Sequence, residues 1–398
     1  MTDYPMFKVP IDTEAALAEL RSVFASGFVN EGVQVSAFER AVSEFLGVRQ
    51  LVLTNSCTSA LTLALRLCGV GPGTEVITTP MTCIATNTPI DNLGARIVWA
   101  DIDPKSASID PVDVERKVTS ATRAIMCVAW AGTPCDLDAL DALARRRGVP
   151  LIQDAAHAFG ATWRGRPVSE FADYTCYSFQ AIKHLCCGDG GALICRDSGQ
   201  GALGRKLKWF GYDRDAHKDS RGEWRGQRWD ADIEPGAVGY KFNMNNVAAA
   251  IGLSQMPRIQ GIVDAHRRNG AAYNREFANS AIIRPLEVPQ QAVSSYWVYT
   301  ALVVDTRVDR DRLLERLNAE RIAAGLVHLS NDGYSAFQRY QAELPGVRRF
   351  AARQISLPCG WWLSEADCVH IAARVHALAE TMLADGVEAH PLSSHALP

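Results

Sequence analysis

No segment of the 398-residue sequence approaches the ~20 continuous apolar residues of a membrane-spanning helix, which argues against a membrane protein. Excess positive charge is missing as well: 41 Lys and Arg stand against 44 Asp and Glu, for a formal net charge of -3. A nucleic-acid partner, held by clustered cations that neutralise phosphates, has no compositional support. Any anion must therefore be bound locally. None of the 11 cysteines forms a CxxC pair, so the usual spacing of zinc and dithiol redox sites is absent. No metal is expected, and the thiols read as free, packing as small hydrophobes. The opening stretch MTDYPMFKVPIDTEAALAEL is acidic and broken by prolines, unlike a secretory signal, and a cytoplasmic protein is expected. There is no internal repeat, low-complexity tract or flexible linker.

What is present is a rhythm. From about residue 50, short apolar runs alternate with longer amphipathic stretches: LVLT (51–54), EVITT (75–79), RIVWADI (96–102), AIMCVAW (124–130), PLIQDA (150–155) and GALICR (191–196). Buried strand followed by helix is the pattern of a mostly parallel α/β sheet, whose ligands sit at the carboxyl ends of the strands. The region 200–240, rich in Trp, Arg, Asp and Gly, breaks the rhythm and reads as a long excursion or lid. A second, smaller α/β stretch follows, placing a domain boundary between 1–255 and 256–398.

Three stretches carry chemistry. In TNSCTSALTLAL, small hydroxyl residues precede an apolar-periodic helix, so backbone N–H groups and the Thr58 hydroxyl converge where the helix dipole favours an anion; an ordinary N-cap gives the same pattern. In LIQDAAHAFGA, Asp154 follows an apolar strand and His157 lies three residues on. A carboxylate there holds a positive partner or backbone donors, or caps a helix. Finally, SFQAIKHLCCGDGG sets Lys183 in a polar run ahead of glycines that permit tight backbone. Lys183 is either a solvated cation or a partly desolvated amine made nucleophilic for a Schiff base. Phosphate cup, strand-end acid and then a lysine 29 residues later is the order used by pyridoxal-phosphate enzymes of the aspartate-aminotransferase fold.

These stretches, with GFVNEGVQVSAFERAVSEFLGV, DIDPKSASID, AGTPCDLDAL and GYKFNMNNVAAAIGL in the expected order, resemble the DegT/DnrJ/StrS group of pyridoxal-phosphate aminotransferases. The resemblance implies fold type I, with a large domain built on a mostly parallel seven-stranded sheet flanked by helices and a smaller C-terminal α/β domain. It also implies Lys183 as the Schiff-base lysine and proton shuttle, Asp154 on the pyridine nitrogen and His157 by the phenolic oxygen. The Cys57 backbone, Thr58 and Ser178 would hold the phosphate. Asn243 would reach the phosphate of a neighbouring subunit, implying a homodimer with shared active sites. Cys83 falls where the family often stacks an aromatic ring on the pyridine, and cysteine covers without stacking. On the substrate side the similarity points to His328, Asn331 and Asp332. Trp209, Phe210, Tyr212 and Arg214 are suited to stack and pair with a nucleobase and diphosphate; core packing is the competing reading.

The implied reaction carries an amino group from L-glutamate through pyridoxal and pyridoxamine phosphate to a keto sugar, most simply a nucleotide-linked one. A keto-cyclitol acceptor is an equally ordered alternative. Sugar dehydratases of the same group carry histidine at the lysine position, and Lys183 argues against that reaction. A non-catalytic regulator of the same fold would show a damaged cofactor constellation, and apart from Cys83 none is visible.

Overall fold

The structure, a computed structural model, describes residues 4–213, 233 and 236–384. Nine strands lie in the first half: β1 (Leu51–Thr54), β2 (Glu75–Thr78), β3 (Arg96–Trp99), β4 (Thr122–Val128), β5 (Leu151–Asp154), β6 (Thr162–Trp163), β7 (Arg166–Pro167), β8 (Tyr174–Ser178) and β9 (Gly191–Cys195). Seven of them form one sheet in the order β1-β9-β8-β5-β4-β2-β3. Only β9 runs against its neighbours, so the expected mostly parallel sheet is observed. Five of the seven strands are buried along their whole length, as helices covering both faces demand. Alternate residues divide between two cores: Leu51 and Leu53 join the one on one face, Val52 the one on the other.

The helices between strands start and stop on local chemistry. Ser56 caps Cys57–Leu67 by accepting from the Ser59 amide, and Asp136 caps Leu137–Arg147, which Gly148 ends in the left-handed region. Each side-chain cap is worth about 1 kcal/mol. The stretch 200–240 begins less irregularly than its composition suggests, because Ser198–Leu207 is helical; most of the expected lid lies outside the described residues.

After a short turn at Met256–Arg258 the chain enters the helix Ile259–Phe277. Strands β10 (Ile283–Pro285), β12 (Tyr299–Val303) and β13 (Gln354–Leu357) form an antiparallel sheet with its own core. Strand β11 (Ala292–Val293) instead pairs with β6. Residues 294–298 therefore run from an edge of the first half into the middle strand of the C-terminal sheet, and this crossing passes the cavity described next. Among the described residues, no helix is long and apolar enough to cross a membrane.

Candidate active site

Strands β5 and β8 end side by side at Asp154 and Ser178, and β1 ends at Thr54 on the far side of β9. Gly191, the first residue of antiparallel β9, is paired with both Thr54 and Ser178. A side chain there is impossible without displacement: a Cβ on Gly191 would stand 2.4 Å from the Ser56 carbonyl carbon and 2.5 Å from the Cys57 nitrogen. The glycines after Lys183 thus let the strand beyond the lysine loop press against the start of the helix Cys57–Leu67. Gly190 is similarly closed in, with its Cβ position 2.8 Å from Met244 Cε.

At this edge lies a cavity of about 340 Å³, lined by Cys57, Thr58, Cys83, Asp154, His157, Ser178 and Lys183, together with His328 and Trp297. The expected cofactor residues other than Asn243 are brought together here. The amides of Cys57 and Thr58 precede the first intrahelical bonds and donate to no described backbone or side-chain acceptor. Asp154 is buried and accepts from Thr86 Oγ1 at 2.7 Å and the Ala156 amide at 3.0 Å. Burial raises its pKa, opposed by those bonds and by the Lys183 charge. The carboxylate is stabilised less than a closed ion pair would be, and it fits a cationic N–H.

Lys183 is half-buried, and desolvation brings its amine down from 10.5 to about 8, with Asp154 pulling the other way. Its Nζ lies 3.6 Å from the centroid of the Trp297 ring. His157 stacks on the same indole at 3.8 Å, and its Nδ1 is buried without a partner. Burial and then the Lys183 charge hold His157 well below the ordinary histidine range and His328 at about 3. Both imidazoles are neutral, and their Nε2 atoms face each other at 3.4 Å, one donating and one accepting. His184, next to Lys183, does not line the cavity; its Nε2 meets the Ser295 carbonyl at 3.0 Å and its ring lies 4.4 Å from that of His266.

Other expected residues are elsewhere. Asn331 does not line the cavity. It is buried, accepts from Asn87 Nδ2 and donates to the Thr82 carbonyl, each at 2.8 Å. Its amide is used up in fastening the Thr79–Thr82 turn, a correction to its place on the substrate side. Asp332 accepts from Ser330 and pairs with Arg348. Asn243 is buried beside β1, where its side chain meets Asn30 and Lys241. Trp209 lies under the Lys241 ammonium, 4.1 Å from the ring centroid, and against Phe210. Neither it nor Tyr212 lines this chain's cavity, and Arg214 lies outside the described residues.

Thr86 and Trp297 also line the cavity, and neither is among the residues to which the sequence points. Thr86 follows the recognised Cys83 by three residues, one helical turn, which could have exposed it. Nothing around Trp297 distinguishes it from a core aromatic at the start of a strand.

The model of the DegT/DnrJ/EryC1/StrS aminotransferase family matches residues 10–376. The chain belongs to that family. This aminotransferase is 32% identical over 371 residues to the spore coat polysaccharide biosynthesis protein SpsC of Bacillus subtilis, covering 91% of this chain and 93% of SpsC. Among solved structures it is similar to AtS13 from Actinomadura melliaura (36% identity, TM-score 0.87, covering 95% of this chain and 99% of that one). It is also similar to the sugar aminotransferase CalS13 from Micromonospora echinospora (33%, TM-score 0.86, 94% and 99%). The cofactor of the aminotransferase is pyridoxal phosphate. The cavity fits it: free amides at a helix start suit a phosphate, Asp154 a pyridinium, the orphaned His157 nitrogen a polar oxygen, and the desolvated Lys183 amine an aldehyde.

Proposed function

We propose that the aminotransferase moves an amino group from L-glutamate to a keto carbon of a sugar, most simply a nucleotide-linked 4-keto-6-deoxy or 3-keto sugar, in amino-sugar or polysaccharide biosynthesis. The observation that carries the reading is the desolvated amine of Lys183 in one cavity with the buried carboxylate of Asp154. Similarity to CalS13 and to SpsC supports a sugar acceptor.

When bound, pyridoxal phosphate supplies an electron sink and a carrier for the amino group. The amides of Cys57 and Thr58, with Ser178, would hold its phosphate, and Cys83 would cover its ring. Asp154 would keep a proton on the pyridine nitrogen. His157, neutral and anchored on Trp297, would orient the phenolic oxygen. Lys183 Nζ would bind the cofactor and, when free, accept and return the proton at the reacting carbon. A pKa near 8 equips it for that work close to neutral pH. His328, beside His157 at the cavity wall, would face the sugar. Since a lysine amine and not the neighbouring His184 reaches the cavity, transfer is favoured over dehydration.

The working unit in this reading is a cytoplasmic homodimer with shared sites. Phe24, Phe28, Val29 and Val33 stand exposed within ten residues, and Phe210 and Val238 are exposed as well, apolar surface of the kind that a second copy covers. Asn243, Trp209 and Tyr212, lying off this chain's cavity, would serve the partner's.

The deciding measurement is the visible spectrum of the cofactor-loaded protein. L-Glutamate should bleach the cofactor band, and one member of a panel of nucleotide keto sugars should restore it. A band indifferent to glutamate would reject the donor. Restoration by keto-cyclitols alone would reject the sugar.

A further inference from the structure

Residues 294–297, Ser-Ser-Tyr-Trp, are held more tightly than a connecting segment requires. Tyr296 has φ +47°, in the left-handed region, an unfavourable conformation for an aromatic residue. Such strain persists only where the surroundings over-determine it, and here they do. Ser295 Oγ donates to the His157 carbonyl at 3.0 Å, and the Ser295 carbonyl meets His184 Nε2. The Tyr296 carbonyl meets His266 Nδ1 at 2.8 Å, and its hydroxyl accepts from Asn274. The Trp297 amide donates to the Ala131 carbonyl at 2.9 Å. Two glycines make room: a Cβ on Gly270 would stand 2.5 Å from the Tyr296 ring, and one on Gly132 2.7 Å from Ser295 Oγ.

All of this delivers a single indole to the cavity. Trp297 is 2% exposed. Phe7 stacks on it at 5.0 Å and His157 at 3.8 Å, and its Nε1–H donates to the Ile182 carbonyl at 2.7 Å, the residue immediately before Lys183. We infer that Trp297 is the positioning residue for Lys183: its indole N–H fixes the backbone from which the lysine springs, and its ring face is where the amine rests whenever it is not bound to the cofactor.

The inference rests on the reading of Lys183 as the cofactor lysine, and the chemistry of transamination gives it a purpose. The amine is free for part of each cycle, close to the Asp154 carboxylate. A lysine that closed onto a carboxylate would lock its own proton and neutralise the acid. An aromatic face attracts the ammonium through its quadrupole without accepting a directed hydrogen bond from it as a carboxylate would. The charge is held and the proton stays transferable. Of the titratable groups around the amine, the Asp154 carboxylate favours its charged form most, while His157, His184 and His328 are held neutral first by burial and secondarily by neighbouring charges that include Lys183.

The test is the titration of Lys183 in the full chain freed of cofactor, read as the pH dependence of its labelling by acetic anhydride with peptide mass analysis. Tetrafluorotryptophan placed at position 297 keeps the shape and the N–H but strips the negative face. It should lower the labelling midpoint by about one pH unit. Trp297→Phe keeps a face and loses the N–H; its midpoint should stay within a few tenths of a unit, while pyridoxal phosphate binds about 3–10-fold more weakly. An unchanged midpoint in the fluorinated chain would overturn the resting place, and unchanged affinity in Trp297→Phe would overturn the anchor. Borohydride reduction of the loaded wild-type protein, followed by peptide mapping, separates the two readings. Cofactor fixed on another lysine would reject the role of Lys183 itself, whatever its midpoint.

Discussion

Lys208 and Lys183 each lie near a carboxylate inside the protein, and the difference between them is instructive. Lys208 Nζ contacts Glu31 Oε1 at 2.8 Å and the Leu53 carbonyl at 3.4 Å, with side chains only 6% and 9% exposed. Lys183 is less buried and makes no ion pair with Asp154; its amine stands over an indole face, 3.6 Å from the ring centroid. In the proposed function the more deeply buried lysine is the structural one, and depth alone would not make an amine reactive. What would matter is whether its charge has been closed off by a partner, and among the described residues Lys183 has no ion pair that does so.

The comparison can be broken from either side. Lys183→Ala should lower amino transfer by at least about a thousand-fold, the scale of losing a positioned nucleophile and acid–base group, and should not lower the urea unfolding midpoint. Lys208→Ala should do the reverse, costing about 3 kcal/mol of stability by removing the cation buried with Glu31; a midpoint equal to wild type would dissolve the distinction. Thr86→Val, which removes the hydroxyl donor to Asp154, should reduce turnover about ten-fold and move the acid limb of its pH profile upward, since the carboxyl then holds its proton more tightly.

The smallest expected effect is on stability against pH. The Lys183 amine titrates near 8 in the folded chain and at 10.5 when unfolded. Below pH 8 both states carry the proton, and the folded state bears the full cost of desolvating it. Between 8 and 10.5 the unfolded chain binds a proton that the folded one does not, so stability rises with pH. Cofactor-free Lys183→Met should therefore be more stable than wild type at pH 7 by about 1 kcal/mol, discounted for solvent in the cavity. That gap should close toward pH 10.5. A gap independent of pH would place the amine at its ordinary value.

What could be read from sequence follows from how each element is encoded. Strands such as Leu51–Thr54 and Leu151–Asp154 are continuous apolar runs because both faces of the sheet are covered, and they stand where their patterns placed them. Local order also kept Asp154 and His157 near the end of a recognisable strand and Lys183 shortly before the start of another. Strand Tyr174–Ser178 was obscured because its polar sequence, YTCYS, is buried all the same. Trp297 was illegible for another reason. It lies 114 residues after Lys183, and only the crossing from β11 to β12 brings it to the cavity. Asn331 misled in the opposite sense: a side-chain amide near the right segment looks like a ligand contact until its donors and acceptor are seen to be taken by Asn87 and Thr82.

The closeness of Gly191 to Ser56 and Cys57 has a practical side for anyone redesigning acceptor preference. A Cβ there would overlap main chain, not a movable side chain, so even alanine at this position would push the helix Cys57–Leu67 and the lysine loop apart. On the proposed reading, mutational libraries aimed at new sugars are better spent on the rim near His328. Randomising the glycine run would yield chains that fail as containers before they could be judged as catalysts.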